Sequence, residues 1–260
     1  MTVFTVARRI LLALGLPAVL FALWWYATAG STNFYFPALS DVLQKSGGVW
    51  TADRLLSDVV PSLARLTEGY LLAVVIGVGL GLLIGTSRVV RDVLEPVLEL
   101  FRAVPPPVLV PVIMLFVGIG DTMKVLVIVG GCMWPILLNT VEGVRAVDEV
   151  LSDTCRSYGI SGPSRLWHLI LRSASPQIIT GMRQALPIGI ILMVISEMFA
   201  ASNGLGFTIV QFQRSFAIPE MWSGVLLLGL LGFVLSLLFR FAENRVLAWY
   251  HGLRRAQRNS

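Results

Sequence analysis

Charge is scarce in this chain. Only 13% of its 260 residues are Asp, Glu, Lys or Arg, where soluble domains carry about a quarter. With 56% hydrophobic residues and a mean hydropathy of +0.79, that poverty of charge excludes an ordinary water-facing surface and points to a bilayer. Cysteine and histidine are scarcer still, at two each. Cys132 falls inside a predicted span and Cys155 in a predicted loop, without metal-ligand spacing, so neither a disulfide nor a metal site is expected. His168 and His251 lie far apart with no HExxH or Cys/His pattern around them, and no metal site is assigned to them. The phosphate-cradling GxxxxGK[ST] loop is missing, so no nucleotide or other cofactor is expected in this chain. A membrane-embedded enzyme would need a cluster of His, Asp, Glu or Ser beside the spans, which two scattered histidines do not supply. Internal repeats, heptads and low-complexity tracts are also missing, which leaves a single membrane domain over 1–260.

What the chain has in quantity is long apolar runs. A helix needs roughly 20 residues to cross a hydrocarbon core about 30 Å thick, and six runs approach that length, at 10–29, 66–86, 103–118, 123–141, 178–201 and 222–241. The third is interrupted by Pro105, Pro106, Pro107 and Pro111, which membrane helices tolerate when neighbours satisfy the freed carbonyls. The expected fold is therefore all-α and polytopic, with about six transmembrane helices. If the N-terminus is inside, thirteen of the 20 Lys and Arg residues fall on cytoplasmic segments, while Lys45, Arg54, Arg65, Lys124 and Arg214 fall outside. Both termini are then cytoplasmic. The same spread of basic residues over loop flanks explains the net charge of +5 and the pI near 9.7 without a nucleic-acid face. Arg8 and Arg9, the apolar run after them and Ala27, Thr28, Ala29 imitate a cleavable signal peptide. The run is long for one, and Trp24, Trp25 and Tyr26 form an aromatic belt at its outer end, so a retained helix is expected.

Two polar stretches separate the spans. The first, 30–63, reads as an external loop with short amphipathic helices, fixed at the interface by Pro37 and Trp50. The second, about 145–176, is cytoplasmic in this topology. Within it VDEVLSDTCRSYG has the pattern of a helix running toward the interface, with Gly159 as an αL-compatible helix end. A second short helix is expected after Ser161, Gly162 and Pro163.

An acidic residue, two small residues, three more and then a glycine (Asp153, Thr154, Cys155, Gly159), followed by an apolar run at 169–171, resemble the EAA loop of ATP-binding-cassette importer permeases. The likeness continues through Pro176, GMRQAL (181–186), SEMFAASNGLGF (196–207) and QRSF (213–216), and upstream through FRAVPPPVLVPVIMLFVGIG (101–120). These segments resemble the nitrate, sulfonate and taurine branch, and coverage is nearly the whole chain. The departures are Asp153 for the usual Glu, Thr154 and Cys155 for paired alanines, and Arg172 where a closing proline is usual. The resemblance implies the permease fold of a type I importer in a bacterial inner membrane. It also implies pairing with a second copy of the chain, two ATPase subunits holding ATP and Mg, and a periplasmic or lipid-anchored binding protein that delivers a small anion. Gly159 would set the bend of the docking segment, Asp153 would hold it through polar contacts, and Ser161, Gly162, Ser164, Arg165 and Leu166 would present the contact surface. Against this stands a transporter or channel driven by an ion gradient, which would show inverted halves or broken helices with midplane charges. No duplicated half is visible.

Arg102, Arg183 and Glu197 are the charges at membrane depth, where ionisable groups are costly and point to function; they are candidates for lining a translocation path. Arg102 has Glu99 three residues before it, Arg183 lies close enough to an interface to snorkel, and Glu197 is too far from Arg183 along one helix to pair with it. Gly77, Gly81 and Gly85 form a double GxxxG ladder, read first as packing within the chain and second as a dimer or gating contact. In SNGLGF, Asn203, Gly204 and Gly206 are candidates for an external gate, where the resemblance implies a re-entrant turn.

Overall fold

The computed structural model describes the backbone of residues 3–31, 33–199, 201–250 and 252, and the side chains among these from residue 15 onward except at 95 and 102. The ordered elements among the described residues are helices: α1 (Val3–Ala27), α2 (Leu39–Val49), α3 (Ala52–Thr86), α4 (Arg88–Arg102), α5 (Pro106–Val117), α6 (Asp121–Arg145), α7 (Glu149–Ser157), α8 (Gly162–Phe199), α9 (Leu205–Arg214) and α10 (Ile218–Val246). Of these α3, α6, α8 and α10 are long and apolar enough to cross a membrane.

The central helix is α6, and small residues decide how its neighbours reach it. Gly69, Gly77, Gly81 and Gly85 of α3 meet Ile128, Ile136, Thr140 and Val144 of α6, each partner lying equally far along the chain, so the two helices run parallel. Ala73 completes the four-residue period and is fully buried. At Gly81 an added Cβ would sit 2.5 Å from Thr140 Cβ, closer than real side chains approach. Such contact matters because a bilayer gives apolar helices no hydrophobic reason to associate; close packing at small residues takes its place. The ladder therefore packs the chain against itself. On another side of α6, α8 runs antiparallel, with Gly181 against Pro135 and Asn139, and Gly189 against Cys132. Leu66, Val127, Ile128, Cys132, Ile136, Leu192 and Met193 fill the core between the three helices.

Several boundaries differ from the sequence expectation. The helix around the second apolar run starts at Ala52, not near Leu66, and its 35 residues extend about 52 Å. It opens on a wide π-turn at Leu55–Val59, directly before Pro61, whose missing N–H leaves the α-ladder incomplete there. The third run is shorter than expected: α5 has 12 residues, about 18 Å, which falls short of a hydrocarbon core of about 30 Å. Pro105 in extended conformation starts it late, and Gly118 at φ 76° ends it. The short helix expected after Pro163 does not stop but passes through a π-turn at Leu166–Ile170 into α8, giving 38 continuous helical residues.

Around this core, α4 lies on its apolar stripe, with Val90, Leu94 and Leu98 against Ile84, Leu137 and Val141. Ser87 caps it by accepting the Val90 N–H. The segment 33–50 packs on α10 with aromatic side chains from both sides: Trp50 Nε1 donates to Ser223 Oγ at 3.0 Å, and Trp222 Nε1 of α10 donates to the Tyr35 carbonyl at 3.2 Å. Pro37 is buried.

Candidate functional site

Two regions of chemical interest lie at opposite ends of α6, about 37 Å apart for its 25 residues. At the end where α6 begins, a carboxylate is fully enclosed. Glu197 has no solvent-exposed surface. Its Oε1 accepts from Arg65 Nη1 at 2.8 Å and from Ser62 Oγ at 2.7 Å, and its Oε2 accepts from the Gly206 N–H at 3.0 Å. Ser62 Oγ in turn accepts the Leu205 N–H at 2.9 Å. Arg65 is 5% exposed and fans out to three partners: Nη1 to Glu197, Nε to Asp121 Oδ1 at 2.8 Å and Nη2 to Asn203 Oδ1 at 2.6 Å. Lys124, 4% exposed, donates to the same Asp121 oxygen at 3.0 Å.

The chain between α8 and α9 is shaped to this carboxylate. Gly204 has φ +119°, a conformation L side chains rarely adopt, and a Cβ there would lie 2.5 Å from Glu197 Cδ. A Cβ at Gly206 would collide with the Val194 carbonyl. Both glycines are thus needed for the turn to fold back over the last turns of α8, and Asn203 belongs to the same knot. The network joins α3, α6, α8 and α9 through charge-assisted hydrogen bonds, which are about twice as strong as neutral ones.

Glu197, expected to need a partner outside its own helix, has one in Arg65. As placed, it faces protein on all sides. Arg65 and Lys124 were expected in external segments, and their burial, like the roles of Ser62 and Asp121, was not foreseen. Two signals pointed to them: an acid inside an apolar run requires a cation, and Arg65 stands directly before the run that begins at Leu66.

At the other end of α6, Asp148 caps α7 by accepting the Leu151 N–H at 3.0 Å. The helix closes in a Schellman motif, with the Gly159 N–H on the Arg156 carbonyl at 3.0 Å and the Ile160 N–H on the Cys155 carbonyl at 2.8 Å. Gly159 takes φ +67° as its place requires. Asp153 pairs locally with Arg156 at 3.5 Å, while Thr154 donates to the Val150 carbonyl, so neither tethers the segment to the bundle. That link comes from Arg165, whose Nη2 donates to Ser152 Oγ at 2.8 Å. Ser161 precedes α8, Gly162 (φ +57°) and Ser164 lie in its first turn, and Leu166 packs with Val144, Ile170 and Ala174. Facing outward are Val150, Leu151, Tyr158 and Trp167, the last two 80% and 65% exposed.

The chain as a whole has known counterparts. Residues 73–248 match the family described as binding-protein-dependent transport system inner membrane component. The chain belongs to that family. Among its relatives, the permease is 31% identical to the taurine transport system permease protein TauC of Escherichia coli, over 94% of this chain and 91% of that one. It is 26% identical to the putative aliphatic sulfonates transport permease protein SsuC of Bacillus subtilis, over 90% and 86%. It is 28% identical to the nitrate import permease protein NrtB of Synechocystis, over 81% and 76%. Its fold is that of a chain of the MetNI methionine ABC transporter in an inward-facing conformation, with TM-score 0.61 at 19% identity, covering 75% of this chain and 95% of that one.

The candidate charge Arg183 of the permease lies apart from both regions. Arg183 is on α8, and its Nη1 lies 3.3 Å from Glu243 Oε1 of α10. The Arg102 side chain and all of His251 lie outside the described residues. His168 is exposed and its Nδ1 lies 3.0 Å from the Ser164 carbonyl.

Proposed function

We propose that this permease forms the translocation path of an ATP-driven importer for a small oxyanion, as an aliphatic sulfonate, taurine or nitrate. It is one domain, two copies of which pair in the bacterial inner membrane with both termini cytoplasmic. Two ATPase subunits that carry ATP and Mg grip the segment from Asp153 to Leu166, and a binding protein presents the solute at the end that holds Arg65. The observation that carries this reading is the outward-facing Val150, Leu151, Tyr158 and Trp167 around a rigid Schellman turn. Apolar side chains held out on a polar segment suit a protein partner. From Gly162 the segment is the first turn of α8 itself, so a displacement of it would reach the spans mechanically, which suits two alternating conformations. The relatives' printed names support the solute class, since sulfonate and nitrate share a small, singly charged oxyanion head.

The test is purification of the tagged chain in mild detergent with mass spectrometry of the proteins that come with it, for the natural sequence and for Gly159→Val. An ATPase in stoichiometric amount with the first and lost with the second is the expected result, because valine is strained at φ +67°. Membrane insertion should be unchanged. Recovery of the natural chain alone, even after crosslinking in intact membranes, would favour the gradient-driven transporter.

A further inference from the structure

Arg65, Lys124, Asp121, Gly120, Ser202 and Asn203 wall a depression of about 550 Å³ where α6 begins. Three kinds of hydrogen-bond donor converge on it. The side chains of Arg65 and Lys124 are only 6% and 4% exposed, yet both direct a charged N–H at one atom, Asp121 Oδ1. Asn203 gives its side-chain oxygen to Arg65, which leaves its amide N–H groups as donors on the wall. The third set is the first turn of α6: Gly120 precedes it with extended backbone and brings no side chain to cap the N–H groups at the positive end of a 25-residue helix.

The acceptors are unequal. Glu197 is enclosed and committed to Arg65, Ser62 and the Gly206 N–H. The Asp121 side chain is 67% exposed, and it neutralises two buried cations through a single oxygen. A rotation about its side-chain bonds would carry that carboxylate into solvent and leave the cations, the amide and the helix end facing the depression.

We propose that this depression is a binding site for a small oxyanion, and that the Asp121 carboxylate occupies it as a tethered stand-in which an incoming sulfonate or nitrate displaces. This rests on the reading of the chain as an importer of small anions and adds to it the residues that first hold the solute. Arg65 and Lys124 supply charge, Asn203 and the α6 N-terminus supply neutral donors, and Asp121 sets the threshold for binding. Asp121 also returns when the anion moves on, so Lys124 is never left buried and unpaired, while Arg65 keeps Glu197 throughout.

The test uses the full-length chain in detergent, its melting temperature followed by tryptophan fluorescence. Sodium nitrate or methanesulfonate is titrated against chloride at constant ionic strength. For Asp121→Asn the half-saturating oxyanion concentration is expected to fall about tenfold, equivalent to losing roughly 1.4 kcal/mol of competition. Lys124→Gln should abolish the response, and Asn203→Asp, which sets a second carboxylate on the wall, should suppress it. Asp121→Asn responding no differently from the natural chain, or neither responding, overturns the site. ATP-dependent taurine or nitrate uptake by the assembled complex separates the two ideas. Uptake without an Asp121→Asn effect removes the site and leaves the importer, whereas the effect without uptake removes the importer and leaves the site.

Discussion

Replacing Arg65 by methionine isolates the energetics of the enclosed charges. The change removes the guanidinium while roughly keeping the apolar stem, and it leaves Glu197 with only Ser62 and the Gly206 N–H as donors. Breaking a buried ion pair by removing one partner costs about 3–5 kcal/mol, chiefly because the other charge stays buried without compensation. The contact with Asp121 adds no more than about 1 kcal/mol, since that carboxylate is largely solvated. At about 2–4 °C per kcal/mol for a chain of this size, the melting temperature should fall by roughly 6–24 °C. Arg65→Met combined with Glu197→Gln tests whether the pair is the cause. Glutamine keeps an acceptor for Ser62 and Gly206 but carries no charge, so the double variant should be more stable than the sum of the single losses predicts by about 2 kcal/mol or more. Melting in detergent, followed by tryptophan fluorescence for all four proteins, measures this. A shift under about 2 °C for Arg65→Met, or losses that add within about 0.5 kcal/mol, would refute the argument.

Two further outcomes follow from the packing and the topology. Gly81→Val should disrupt the α3–α6 contact and lower the yield of folded protein in a detergent gel-filtration assay, because its Cβ would meet Thr140. Gly79→Ala, in open space two residues away, should be neutral or stabilising by about 0.5–1 kcal/mol as an alanine in a helix interior. In intact cells a membrane-impermeant maleimide should leave Cys155 unlabelled, and in inside-out vesicles it should label it. Cys132, buried against Ala185, should react only after denaturation.

The sequence made some of this readable because the local rule and the tertiary structure agree. The α7 end was legible from Gly159, since a helix that must stop and turn there calls for a residue at positive φ. The small-residue period at Gly77, Gly81 and Gly85 likewise declared a close backbone approach, though not which helix would make it. Elsewhere local signals were insufficient. Arg65 and Lys124 border apolar runs, and a charge at such an edge looks the same whether it faces water or a buried carboxylate 132 residues away. The extent of α8 was hidden because Ser161, Gly162 and Pro163 announce a helix start, while Arg172, Ser173 and Ser175 are polar without ending one. The shortness of α5 was foreshadowed by its prolines, but only the structure places its first turn at Pro106.

The glycine ladder has a mechanical consequence. Where the α3 glycines rest directly on the β-branched side chains of Ile128, Ile136, Thr140 and Val144, which have little rotamer freedom, little is left between α3 and α6 to absorb a displacement, and the pair is expected to move as one stiff rod. A tilt of about 5° imposed where α6 meets α7 would carry the far end of a 37 Å rod through roughly 3 Å. That distance is comparable with the 2.8 Å hydrogen bond joining Arg65, on the rod, to Glu197 on α8. A tilt of that size at the α6–α7 junction would therefore be enough to part Arg65 from Glu197 at the opposite end.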